Sequence, residues 1–363
     1  MSAPDGRTPG SRAPGTPGEV PLRDAAAEDP ARVGIEGAGA VPAGPGAAPA
    51  APGDVPPGSR GAAGAATRGR RRVLDGFGLV LLGALLWGTG GVAGTVLARE
   101  TDLPMLAVAS YRLLVGGGAL VVVLALTGRL AVVARSRAVV VRVAVTAVLA
   151  AVYQAFYFVA VGIASVSVPT LVALGASPVL VAAATVALNR RRPATRVLVA
   201  LGLALVGLVL LVGVPTGPGA TAGALLALVS AGAFATMTLL NSRPVPGLAP
   251  LPLTALSFTL GGVLLLPVAA TLGGGLALPP AGSGPAGWLL LAFLGLVPTA
   301  LAYGAYFTGL RTVPPTTASV VALLEPLTGA VLAALLLGDR LGWPGLVGGA
   351  LLGAAVVALR PRP

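Results

Sequence analysis

The chain has 363 residues, of which 55% are hydrophobic and only 10% charged, and its formal net charge is +12. A soluble domain carries about a quarter charged residues, so this composition argues against a soluble globular protein. Every basic residue is Arg, and His and Cys are absent, which excludes disulfides, His or Cys metal sites and His-dependent triads. The sequence also lacks a Walker A motif, and we expect neither a metal nor another cofactor.

The first 72 residues are rich in Pro, Gly, Ala and Arg and have almost no large apolar side chains. Such a segment cannot bury enough surface to offset its chain entropy, so 1–72 is predicted to be a disordered tail. Residues 73–363 contain long uncharged runs, and a helix needs about 20 mostly apolar residues to cross a bilayer. Gly, Pro and Ser divide the runs into ten predicted transmembrane helices, near 76–98, 103–127, 143–162, 167–188, 195–213, 220–240, 250–272, 286–308, 315–337 and 344–359.

The arginines outside the spans predict the orientation. If the N-terminal tail is cytoplasmic, then from Arg68 onward sixteen arginines lie in inside segments and two, Arg99 and Arg340, in outside segments. Cytoplasmic loops carry an excess of Arg and Lys, so we expect a multi-pass inner-membrane protein with both termini in the cytoplasm. The positive charge then follows from topology and is no evidence for nucleic-acid binding.

The chain also repeats itself. The stretch YFVAVGIASVSVPTLVALGASPVL (157–180) aligns with YFTGLRTVPPTTASVVALLEPLTG (306–329) when one inserted residue is allowed in the first copy. Two five-helix halves must have opposite orientations because five is odd. The sequence therefore predicts an all-α membrane protein in which 73–213 and 214–363 are inverted five-helix repeats, a plan that places a binding site near the bilayer midplane.

Several segments resemble the EamA-like branch of the drug/metabolite transporter superfamily. They are LLWGTGGVAGT in the first helix, ASYRLLVGGGAL in the second, LVPTALAYGAYFTGL in the eighth, and VVALLEPLTGAVLAALLLGDRLGWPGLVGGALLGAAVVAL in the last two. The resemblance covers about 75–360. It implies a ten-helix carrier for small organic metabolites, frequently an exporter. The chain departs from the family pattern at Asp339, where a Glu is usual, and at Ser177 and Arg191 in the first repeat.

Two charged residues lie deep in predicted spans. Glu325 is the only acidic residue well inside a span, where an ionised acid costs about 2.5–3.5 kcal/mol, so it is predicted to contact a substrate amine or carry a proton. A structural role beside Pro326 is the alternative. Arg112 could bind an anionic substrate group or take part in gating, pair with Glu325, or snorkel to the interface.

Aromatic residues are grouped on two helices. Tyr153, Phe156 and Tyr157 share the third helix, and Tyr303, Tyr306 and Phe307 share the eighth, at spacings that place each set on one face. In inverted halves these faces could line a central cavity suited to organic or cationic solutes. Ordinary interhelical packing is the alternative. Trp87 could close the same cavity or anchor the first helix at the interface.

Proline and glycine positions complete the candidate site. Pro178 and Pro326 are predicted to break the fourth and ninth helices near the site and free backbone carbonyls, with a simple kink as the alternative. Gly345, Gly349 and Gly353 form a small-residue ridge on the last helix. This ridge predicts close packing within the monomer or, alternatively, a homodimer contact.

Taken together, the residues predict a secondary transporter that moves a small organic solute by alternating access, outward, with proton coupling as an open alternative. A membrane-embedded enzyme acting on lipid is disfavoured because the spans hold no His or Cys and one acid. A passive channel is disfavoured because no ring of polar residues is visible.

Overall fold

The structure is a computed structural model that describes residues 57–164, 167–190, 192–214, 217–272, 274–278, 284–340 and 342–361. Within these ranges it is all-helical. The helices are α1 (Pro57–Glu100), α2 (Met105–Leu126), α3 (Arg137–Ile163), α4 (Ser167–Asn189), α5 (Thr195–Val212), α6 (Ala220–Asn241), α7 (Pro250–Leu272), α8 (Gly284–Gly295), α9 (Ala302–Gly309), α10 (Pro315–Val321), α11 (Leu324–Leu336) and α12 (Trp343–Leu359). A π-helical segment, Leu296–Leu301, joins α8 to α9.

These elements form ten spans. Helices α1 to α7 are the first seven, α8 with the π segment and α9 is the eighth, α10 with α11 is the ninth, and α12 is the tenth. Nine of them, within the described residues, are long and apolar enough to cross a membrane, and Trp343–Leu359 is a shorter apolar helix. The predicted ten-helix membrane fold is confirmed.

The start of the first helix differs from the prediction. Helix α1 begins at Pro57, so residues 57–72, predicted as part of a disordered tail, are helical. Ala and Arg are abundant in this stretch and are strong helix formers, and a helix extends more easily than it nucleates. Residues 1–56 of the predicted tail, together with Arg191 and Arg362, lie outside the described residues.

The packing of the spans is symmetric between the two halves. The contact between the third and sixth spans has a counterpart between the eighth and first. The contact between the fourth and sixth spans has a counterpart between the ninth and first. The third also packs on the seventh as the eighth packs on the second, while the second pairs with the seventh and the fifth with the tenth. Each contact recurs when five is added to or subtracted from the span numbers, as an inverted repeat requires.

Glycines allow the closest of these crossings. A Cβ atom on Gly207 of α5 would lie only 2.7 Å from the carbonyl oxygen of Gly348 on α12, so a side chain there would separate the two helices. From the predicted ridge on α12, Gly349 faces the Leu327 side chain of α11 and Gly353 faces open space. Packing within the monomer thus accounts for Gly349, and the homodimer stays a prediction.

The bundle has two ends, which we call distal and proximal. The odd-numbered spans finish at the distal end, where Gly219 lies against the carbonyl group of Ile163. The even-numbered spans finish at the proximal end, where Gly247 lies against Ala134. The candidate site lies between the halves and is asymmetric between these two ends.

Candidate binding cavity between the repeats

A cavity of about 420 Å³ lies between the two halves. Its wall includes side chains from α1, α2, α3, α4, the eighth span and α11, and it reaches the distal end at Thr101, Leu103 and Met105. Six of the residues predicted from sequence line it together: Trp87, Arg112, Tyr153, Tyr157, Tyr303 and Glu325. A volume of this size is in the range of small-molecule sites, which are mostly apolar with a few placed polar groups.

Tyr306, like Phe156 and Phe307, does not line the cavity, although the aromatic spacing predicts it there. Its side chain is 0% exposed, and its hydroxyl lies 3.4 Å from the Thr238 hydroxyl of α6. Tyr306 therefore supports the cavity wall from behind, and the structure corrects its predicted position in the lining. The two side chains are offset around the helix axis, so Tyr303 faces the cavity while Tyr306 turns toward α6.

Trp87 forms the centre of an aromatic cluster at the deep end of the cavity. Its ring centroid lies 4.8 Å from that of Tyr303, 4.8 Å from that of Tyr306 and 5.8 Å from that of Phe234. The side chain is 5% exposed, and its Nε1 hydrogen has no partner within the described part of the chain. Since buried donors are almost always paired, the indole is a ready hydrogen-bond donor at the cavity.

Arg112 is held by a second residue that the sequence did not indicate. Its Nε donates to the Thr299 Oγ1 atom at 3.1 Å, and the Thr299 hydroxyl donates to the Leu294 carbonyl oxygen at 2.8 Å. Leu294 lies four residues before Pro298, and Pro298 has no N–H with which to bond that carbonyl. The π-helical segment, which contains Pro298 and Thr299, thus fixes the orientation of the Arg112 guanidinium.

The two prolines predicted to break helices behave differently. Helix α4 continues through Pro178, so the predicted break is wrong there and the kink remains. The ninth span is interrupted at Ala322 and Leu323, and α11 restarts at Leu324, so Pro326 occupies its third position. A proline is tolerated in the first turn because the N–H groups there have no helical partner.

Glu325 is placed by this interruption. It lies in the first turn of α11, and its side chain faces the cavity. The positive end of the helix dipole favours an acid at this position. Gly88 of α1 packs against the Glu325 carbonyl group, where a Cβ atom would lie 2.7 Å from the oxygen, so α1 fixes the backbone beside the carboxyl group.

Arg112 and Glu325 are the two charged residues among the described cavity lining. No ion pair joins them directly, although both side chains face the same cavity. Of the alternatives predicted for Arg112, the direct pair with Glu325 is not formed in this structure, while solute binding, gating and snorkelling stay predictions. A solute that enters the cavity meets a hydrogen-bond donor cation on one wall and a carboxyl group on another.

Gln154 also lines the cavity and was missed by the sequence reasoning. It follows Tyr153 on α3 and is 2% exposed. An uncharged amide in an apolar run gives a weak signal, since Gln is tolerated in helices in many roles. Its position next to Tyr153 is the indication that the sequence offers.

The fold and the cavity define a class of protein: a ten-helix membrane protein of two inverted repeats with a solute-sized site between them, which is the architecture of secondary transporters. Comparison with known families agrees with this class. Residues 75–213 and 221–360 each match the EamA-like transporter family, and the chain belongs to that family.

Two relatives are named as transporters. The chain is 32% identical over 286 residues to "Uncharacterized transporter YwfM" of Bacillus subtilis (strain 168), covering 78% of this chain and 93% of that protein. It is 29% identical over 286 residues to "Uncharacterized inner membrane transporter YicL" of Salmonella typhimurium (strain LT2), covering 77% and 93%. A solved crystal structure has a TM-score of 0.67 at 19% identity over 78% of this chain and 95% of the other, which supports the fold.

Proposed function

We propose that this membrane transporter is a secondary carrier that exports a small organic solute by alternating access. The observation that carries the proposal is the asymmetry of the central cavity, which reaches the distal end and is closed toward the proximal end. A carrier needs such a state, together with a second state in which the closed end opens.

Closure of the proximal end is built from close backbone crossings. A Cβ atom on Gly83 of α1 would lie 2.8 Å from the Ala302 carbonyl oxygen, and one on Gly309 would lie 2.6 Å from the Gly76 carbonyl oxygen. These contacts between α1 and α9, with the buried Tyr306 beside them, leave no room for a solute to pass. The same crossings would have to separate for the proximal end to open.

The Arg distribution assigns the two ends to the two sides of the membrane. Under the topology that it predicts, the proximal end is cytoplasmic and the distal end faces outward. The name of the Salmonella relative, an inner membrane transporter, supports the same membrane. In that orientation the structure corresponds to an outward-facing state.

The charged and aromatic lining suggests how a solute would be held. Arg112 can donate to an anionic or acceptor group, and Glu325 can accept from an amine or carry a proton. Tyr153, Tyr157, Tyr303 and Trp87 provide faces for an apolar or cationic body. Proton coupling through Glu325 is part of the proposal.

The test is transport by the purified full-length chain in proteoliposomes. Metabolites that accumulate outside overexpressing cells, relative to deletion cells, provide the candidate solute, which is then added in labelled form. Saturable uptake of unchanged solute, abolished in an Arg112→Ala variant and absent from protein-free liposomes, is the expected result. Formation of a chemical product would indicate the lipid-acting enzyme, and flux proportional to concentration without saturation would indicate a channel.

A further inference from the structure

At the proximal end, outside the cavity lining, three arginines converge without an acidic partner among the described residues. Arg142 of α3 donates from Nη1 to the carbonyl oxygens of Leu240 and Arg243, the latter at 2.8 Å. Arg311, which follows α9, donates from Nη2 to the Leu248 carbonyl oxygen at 3.2 Å. Both therefore attach to the end of α6 and the short connection that follows it.

Hydrogen-bond donors outnumber acceptors at this place. The Nε atom of Arg311 and the Nδ2 atom of Asn241 are both buried and have no partner within the described residues. Asn241 is 1% exposed and lies beside Leu240, and its Oδ1 atom accepts from the Thr146 hydroxyl of α3 at 3.1 Å. Unpaired buried donors are costly, and here they accompany three positive charges.

No described carboxylate compensates these charges. None of the five acidic residues in the described part of the chain forms an ion pair with Arg142, Arg243 or Arg311. Burial lowers the pKa of Arg311 below its ordinary value, as expected of a guanidinium that loses water without gaining an anionic partner. The exposed Arg243 side chain makes no hydrogen bond within the described part, so it is free to bind a ligand.

The surroundings of the arginines are those of a membrane–water interface. Val141 and Val145, on α3 next to Arg142, are 50% and 40% exposed on the outside of the bundle, where acyl chains would lie. Guanidinium groups match the geometry of phosphate oxygens, and basic pockets between helices at the cytoplasmic side bind phospholipid head groups. Donors in excess, positive charge and an apolar flank describe a site for a phosphate group.

We propose that Arg142, Arg243 and Arg311 form a binding site for a phosphate group, supplied by an anionic phospholipid or by free phosphate. A bound phosphate would link α3, the end of α6 and the connection after α9, which are the elements that meet at the closed proximal end. The site is independent of the solute cavity, so failure of this proposal would leave the proposed transport function untouched.

The experiment measures binding to the full-length chain in detergent by native mass spectrometry and thermal shift. The probes are a short-chain phosphatidylglycerol, inorganic phosphate, and a neutral diacylglycerol of the same chain length. Arg243→Gln is the main variant because the Arg243 side chain has no hydrogen-bond partner to lose in the described part of the chain. Arg196→Gln, an exposed arginine at the start of α5, is the matched control with the same loss of charge.

The proposal predicts that Arg243→Gln weakens binding of phosphatidylglycerol or phosphate about tenfold, as expected for one charged hydrogen bond, while Arg196→Gln has little effect. If inorganic phosphate binds and phosphatidylglycerol does not, the ligand is a soluble anion. If phosphatidylglycerol binds and inorganic phosphate does not, the ligand is the lipid. The proposal is overturned if neither phosphate probe binds, if the neutral lipid binds equally well, or if both variants weaken binding equally.

Discussion

The two ends of the bundle are built from the same helices, but one encloses a cavity and the other is closely packed. Toward the distal end, Arg112, Glu325 and five aromatic side chains surround about 420 Å³ of space. Toward the proximal end, α1 and α9 approach so closely at Gly83 and Gly309 that a Cβ atom would collide with backbone oxygens. The contrast shows that inverted repeats of similar sequence need not adopt equal packing at both ends, which is the asymmetry that alternating access requires.

The largest expected effect concerns Glu325 in the distal cavity. Glu325→Ala removes the acidic group of the described cavity lining and should reduce transport at least tenfold, in line with the loss of a charged hydrogen bond. Glu325→Gln keeps the size of the side chain but cannot titrate. A proton-coupled carrier with this change should lose uptake driven by a pH gradient and keep solute exchange, because exchange moves no net proton.

The measurement for both Glu325 variants is labelled-solute flux in proteoliposomes, with and without an imposed pH gradient. The wild-type chain reconstituted at the same density is the control. If Glu325→Gln retains full gradient-driven flux with an unchanged pH profile, Glu325 is structural and coupling lies elsewhere.

A second comparison tests whether the π-helical segment positions Arg112. Thr299→Val preserves shape but removes the hydroxyl that accepts from Arg112 Nε, so the apparent affinity for the solute should fall about three- to tenfold. Thr299→Ser keeps the hydroxyl and should stay near the wild type. The check is the concentration dependence of uptake, and equal affinity in the Val and wild-type proteins would contradict a positioning role.

A third prediction addresses the closed proximal end. Arg142→Gln leaves the Leu240 and Arg243 carbonyl groups without their charged donor, which should destabilise the protein by about 1–3 kcal/mol. Thermal unfolding in detergent should show a lowered midpoint. Arg135→Gln, at an exposed position in the preceding connection, is the control, and an equal decrease in both variants would mean that general surface charge is responsible.

The smallest effect is expected from the N-terminal segment. Residues 1–56 lack the apolar content to form a core. Their removal leaves Pro57, the start of α1, and the basic cluster of Arg68, Arg70, Arg71 and Arg72 in place. Membrane abundance and initial uptake rate of the shortened chain should stay within about twofold of the full chain. Loss of transport at normal abundance would show that this segment has a function.

The sequence predicted the features that have strong physical signals. Long apolar runs identify spans because length and hydropathy are set by the bilayer, and Arg112 and Glu325 stood out because charge is costly in a span. The π-helical segment was missed because Pro298 looks like any other proline in an apolar run. Its effect depends on Thr299, which pairs with a residue 187 positions away.

Errors at the level of single side chains have a common cause. The spacing of Tyr303 and Tyr306 predicts a shared face, but the neighbouring helices decide which part of that face meets open space. Phe234, which packs on Trp87, belongs to α6 and carries no signal of its own in the sequence. The helical residues 57–72 were predicted as disordered because an Ala-, Gly- and Arg-rich stretch without large apolar residues is also typical of disorder.

The most direct test of the central claim is the accessibility of the cavity from outside the cell. The chain has no Cys, so one engineered thiol is the only thiol present. Gly94 lines the cavity, and a Cβ atom there meets open space. Gly202 offers equal space on the exposed surface of α5 and provides the matched lipid-facing control.

In intact cells, a membrane-impermeant maleimide should label the Gly94→Cys variant and spare the Gly202→Cys variant. Labelling of Gly94→Cys only after the membrane is opened, or no labelling at all, would contradict an outward-facing cavity.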